Sequence, residues 1–142
     1  MKKALVVEDN QSLVEVFCLL LEGWDFAVVS ANNGMEGVEK AIEEKPDVIL
    51  MDIMMPVMDG REATRRIRSN PETKDIPILA ITALSQESDL NECIEAGCNG
   101  YVQKPFDYKD LQEKIQALLD PCRDTLNANR SIDNELPKMP SK

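Results

Sequence analysis

The chain has 142 residues, enough for one domain with a sizeable core, and 26 acidic against 16 basic residues give a formal charge of −10. That balance argues against direct binding to nucleic acid or to an anionic membrane, both of which call for a basic surface. It contains no histidine, which excludes Ser-His-Asp and Cys-His catalysis, HExxH metal sites and a phosphohistidine on this chain.

Ala4-Leu5-Val6-Val7 reads as a first buried strand, followed by Glu8-Asp9 and by Asn10, a helix N-cap residue. Leu13, Val14, Phe17, Leu20 and Leu21 then fall at helical spacing, with Gly23 as the stop. Phe26 to Val29 is a second strand. Gly34 to Lys45 is a second helix, apolar at Met35, Val38, Ala41 and Ile42 and closed before Pro46. Val48 to Met51 is apolar at every position, which suits a strand covered on both faces. Asp52 follows it at once, then a loop stiffened by Pro56 and freed by Gly60. A third helix runs from about Gly60 to Arg68 and ends at Ser69-Asn70-Pro71. Ile76 to Ile81 is a fourth strand with Thr82 at its end, and Gln86 to Ala96 a fourth helix stopped by Gly97. Gly100-Tyr101-Val102 is a short fifth strand, leading into Gln103-Lys104-Pro105-Phe106. Asp107 caps a last helix with Leu111, Ile115, Leu118 and Leu119 on one face.

Strand and helix alternate five times, which predicts an α/β fold with a five-stranded parallel sheet and helices on both faces. The domain spans 1–120. From 121 to 142 the apolar period stops and polar residues with Pro137 and Pro140 take over, as in a flexible polar tail. No segment is long and apolar enough for a membrane span, and Met1-Lys2-Lys3 leads into too short an apolar run for a signal peptide. The cysteines (Cys18, Cys93, Cys98, Cys122) form no CxxC pair and read as reduced thiols of a cytoplasmic protein.

In a parallel sheet the strands' C-terminal ends share one edge, where open α/β sheets place their chemistry. That edge gathers Glu8, Asp9, Asp52, Thr82 and Lys104. Three carboxylates together repel and raise one another's pKa unless something compensates. A hard divalent cation does so, and Mg2+ takes a few carboxylates and several waters. A phosphoryl group arriving there meets both the metal and the lysine, so a carboxylate could attack phosphorus to give an aspartyl phosphate.

Four stretches carry a family resemblance: Val6 to Asn10, Pro46 to Gly60, Ile78 to Ala83 and Ala96 to Phe106. In this order and spacing they resemble the response-regulator receiver domains of two-component signalling, including the stand-alone chemotaxis type, over roughly residues 3 to 120. The resemblance implies a flavodoxin-like, doubly wound (βα)5 fold. It makes Asp52 the phosphoacceptor, Asp9 a direct Mg2+ ligand, Glu8 a ligand acting largely through water, and the Met54 main-chain carbonyl the remaining protein ligand. Lys104 pairs with a phosphoryl oxygen. Thr82 moves to bond another, and Tyr101 is the aromatic that turns inward when Thr82 moves. A cis Lys104–Pro105 bond is expected.

The implied partners are a sensor histidine kinase or histidine phosphotransfer protein upstream and an unspecified protein target downstream. The target docks on helix four, strand five and helix five, with Leu90, Asn91, Glu95, Gln103, Tyr101 and Tyr108 as face residues. Met54 and Leu84 flank the phosphoryl position and neither can orient a water, which predicts slow self-dephosphorylation. Alternatives carry marks against them. A haloacid-dehalogenase-type phosphatase wants a second Asp where Met54 stands. A flavin module wants a Gly-rich phosphate loop where Glu8-Asp9 would repel phosphate. A docking module without phosphorylation leaves the acidic set and Lys104 without a purpose. The start at Met1 and the polar tail favour a single-domain regulator over a fragment of a hybrid kinase.

Overall fold

The structure is a computed structural model that describes residues 2–55, 57–83 and 86–119. Five strands alternate with five helices: β1 (Lys2–Val7), α1 (Gln11–Gly23), β2 (Phe26–Ala31), α2 (Gly34–Glu44), β3 (Val48–Asp52), α3 (Gly60–Ser69), β4 (Ile78–Thr82), α4 (Glu87–Ala96), β5 (Gly100–Gln103) and α5 (Tyr108–Leu119). All neighbouring strands are parallel, in the order β2-β1-β3-β4-β5. This is the flavodoxin-like (βα)5 fold.

The helices begin where side chains can cap them. Asn10 accepts from the Leu13 amide at 3.2 Å, Asn33 from Glu36 at 2.9 Å, Asp59 from Glu62 at 3.0 Å and Asp107 from Lys109 at 2.9 Å. Period-two alternation then sorts the strands between two cores. Ala4, Val6, Val48, Leu50, Leu79, Ile81 and Val102 face Phe17 and Leu21 of α1 and Leu111 and Ile115 of α5. Leu5, Val7, Ile49, Met51, Ile78 and Ala80 face α2, α3 and α4 through Ala41, Ala63, Ile67 and Cys93. The central strands β3 and β4 are buried at every position, which explains why β3 shows no polar alternation in sequence.

Three expectations shift. β4 starts at Ile78, not Ile76, because the carbonyl of Ile76 is engaged by Arg68 instead of a neighbouring strand. Gly23 is the last residue of α1, and the left-handed turn beyond it falls on Asp25 (φ 70°). Gly60 starts the third helix where expected but is not the residue that frees the β3–α3 loop. It opens α3, where an added Cβ would stand 2.4 Å from the carbonyl oxygen of Asp52, and the positive φ falls on Val57 (71°). That conformation is unusual for a β-branched residue. The expected tail at 121–142, with Cys122, lies outside the described residues.

Candidate functional site

The strand order decides what meets at the C-terminal edge. β1 and β3 are adjacent, and the connections leave them in opposite directions, toward β2 on one side and β4 and β5 on the other. This is the switch point at which open α/β sheets form a crevice. Glu8 and Asp9 enter it from β1, and Asp52 from β3. One oxygen from each of the three carboxylates falls within a cluster no wider than 4.8 Å. Glu8 (2% exposed) and Asp52 (4% exposed) are buried, whereas Asp9 is open to solvent.

Backbone amides hold two of the carboxylates. Glu8 Oε2 accepts from the Asn10 amide at 3.2 Å, and Asp52 Oδ1 from the Met54 amide at 3.3 Å. Lys104, just past β5, reaches back so that Nζ stands 3.5 Å from both Glu8 Oε1 and Asp52 Oδ1. Its own amide donates to the Thr82 carbonyl at 2.7 Å, which ties the end of β5 to the end of β4. The Lys104–Pro105 bond is cis, as expected. Thr82 is fully buried at the end of β4, in register with Gln103.

One ammonium does not neutralise three carboxylates, and burial makes the excess costly. The result is seen at Glu8: burial first, then the Asp52 charge, push its carboxyl up to about 7. A proton on Glu8 is one relief; a divalent cation is another. The donor set is all oxygen, with two buried carboxylates and one exposed side on which waters can complete a coordination sphere. Those properties fit Mg2+ and not a soft metal.

A profile of the response regulator receiver domain matches residues 4–116. The chain belongs to this family. It is 38% identical over 119 residues to protein PilH of Pseudomonas aeruginosa, covering 84% of this chain and 98% of that protein. It is 33% identical over 118 residues to the polar-differentiation response regulator DivK of Brucella anthropi, covering 83% of this chain and 96% of that one. Among solved structures it resembles the receiver domain of a sensor histidine kinase from Pseudomonas aeruginosa, with a TM-score of 0.78 and 36% identity over 83% of this chain and 97% of that one. That domain carries a magnesium ion coordinated in its active-site cleft. The protein is thus a receiver of two-component signalling, a signalling module and not a classical enzyme.

The structure brings Glu8, Asp9, Asp52 and Lys104 together at this edge. Thr82 sits at the same edge one strand further on, and Tyr101 stands two residues before Gln103 on edge strand β5, half-buried against the core beneath α4. On the expected docking face, Asn91, Glu95, Gln103 and Tyr108 are exposed, but Leu90 is buried and supports the helix from beneath. Met51 and Met58 are core residues, as are Cys93 and Cys98. Leu84 lies outside the described residues. Among those residues no helix is long and apolar enough to cross a membrane. The sequence reading missed the amide of Asn10, which orients Glu8 while its side chain caps α1. The carboxylate-x-Asn spacing ahead of a helix was the available signal.

Proposed function

We propose that Asp52 accepts a phosphoryl group and that the receiver, residues 1–120, transmits the change by protein contact. The observation that carries this reading is a buried Asp52 beside two further carboxylates and within 3.5 Å of an ammonium, at the switch point of a parallel sheet. An Asp52 carboxylate oxygen attacks phosphorus as the bond to the donor breaks and the donor nitrogen keeps the electron pair. The donor is a phosphohistidine on a sensor histidine kinase or a histidine phosphotransfer protein, since this chain has no histidine. Glu8, Asp9, Asp52 and the main-chain carbonyl of Met54 are the groups that would hold Mg2+. When bound, the ion supplies charge neutralisation for the carboxylates and the incoming phosphoryl oxygens.

Lys104 moves from its shared position between Glu8 and Asp52 to one phosphoryl oxygen, and the Thr82 hydroxyl bonds another. Tyr101 turns inward as Thr82 moves. The new charge and its hydrogen bonds bias the surface of α4, β5 and α5, where a protein target docks. The protein works in the cytoplasm.

Intact-mass spectrometry after incubation with Mg2+ and acetyl phosphate tests the reading. A single phosphoryl adduct that requires Mg2+ and is absent from Asp52→Asn is the expected result. Absence of an adduct with both acetyl phosphate and a phosphohistidine donor would overturn it in favour of a docking module.

A further inference from the structure

We propose that Lys114 of α5 is a positioning residue for Tyr101, holding the ring in its half-exposed place and opposing the inward turn. This rests on the phosphoacceptor reading above. Among the described residues β5 ends the sheet, and no further strand pairs with its outer edge. There the Tyr101 carbonyl accepts from Lys114 Nζ at 3.0 Å. The same Nζ lies 5.6 Å from the centroid of the Tyr101 ring, within reach of a cation–π attraction. Asp110, one turn earlier on α5, places Oδ2 3.5 Å from that Nζ. One ammonium therefore grips the backbone, the ring and a carboxylate at once.

The three contacts differ in what they can switch. The bonds to the Tyr101 carbonyl and to Asp110 are made wherever the ring points. The ring contact is made only in the orientation seen here, so it alone favours one ring position over another. The ring packs against the core on one side only. It forms part of the wall of a cavity of about 300 Å³, whose lining includes Leu79, Ile94, Lys114 and Leu118. With space beside it, a single contact of modest strength can decide where the ring rests. A contact that opposes the inward turn weakens phosphoryl binding at Asp52 to the extent that this binding favours the turned state.

The chain has two tyrosines, Tyr101 and Tyr108, so 3-fluorotyrosine labelling gives two 19F resonances, and Tyr108→Phe assigns them. Wild type, Lys114→Met and Lys114→Arg are titrated with beryllium fluoride and Mg2+, a tetrahedral stand-in for the phosphoryl group. Lys114→Met shifts the Tyr101 resonance before any addition and lowers the titration midpoint about two- to five-fold. Lys114→Arg, which keeps the cation, stays near wild type. A Lys114→Met midpoint equal to that of a titrating wild type overturns the clamp, even if the variant is less stable to urea, because that pattern belongs to a simple edge cover. A wild type that does not titrate overturns the phosphoacceptor reading itself and the clamp with it.

Discussion

Burial and the neighbouring Asp52 carboxylate push the Glu8 carboxyl from 4.5 up to about 7, against the weaker pull of the Asn10 amide and of Lys104. In the metal-free protein this has a definite sign. Between those two values the folded protein keeps a proton on Glu8 that the unfolded chain has already lost. Glu8 therefore contributes stability that is complete below about 4.5 and is lost as pH rises through about 7. With EDTA present, the urea midpoint of wild type relative to Glu8→Gln should fall across that window, and a flat difference would contradict the assignment. A second residue bears on the lifetime of the aspartyl phosphate proposed at Asp52. Met54 is 58% exposed beside Asp52, and its thioether cannot hold a water in line for attack. An Asn there could. One net hydrogen bond to such a water, about 1 kcal/mol, shortens the phosphate half-life about five-fold. Phosphate release from preloaded wild type and Met54→Asn measures it, and equal half-lives would show that Met54 does not govern water access.

The elements were largely legible because their boundaries are written in local chemistry. Asn10, Asp59 and Asp107 each cap the helix that the sequence placed after them. What lay beyond reach were devices made from residues distant in the chain. Arg68, at the end of α3, donates to the carbonyls of Gly97, Lys74 and Ile76 and to the Asn99 side chain. Asn99 Oδ1 in turn accepts from the amide of Ile78, the first residue of β4. One guanidinium thus joins the end of α3, the approach to β4 and the α4–β5 turn, yet in sequence it is only a polar residue on an amphipathic helix. Gly97 reads as a helix stop and is one, with φ 121°. Its lack of a side chain also leaves room for Arg68, whose Cγ would lie 2.6 Å from an added Cβ. Arg68→Ala strands several acceptors and should cost about 2–3 kcal/mol in urea denaturation. Gly97→Ala should cost at least about 1 kcal/mol through backbone strain. If both variants unfold at the wild-type midpoint, Arg68 is an ordinary surface cation.

At the scale of the whole molecule, alternation of strand and helix was enough to place five strand ends on one edge, but not to order them. The order β2-β1-β3-β4-β5 is set by which faces pair over long separations, and four apolar parallel strands carry little local information about their neighbours. The order matters because it alone puts β1 beside β3 and so makes Glu8, Asp9 and Asp52 one site. The unfolded chain has no such site, with more than forty residues between Asp9 and Asp52. Magnesium should therefore bind the folded state and stabilise the whole domain by mass action, about 2.7 kcal/mol at a hundred times its Kd. Asp9→Asn separates this from general salt effects. Its side chain is exposed and its charge adds to the repulsion, so its removal should not destabilise the metal-free protein. It should nevertheless abolish most of the magnesium-dependent rise in melting temperature, while calcium-free potassium salts at matched ionic strength raise neither protein. An Asp9→Asn variant that melts as wild type does across a magnesium titration would place the ion elsewhere and dissolve the link between strand order and site.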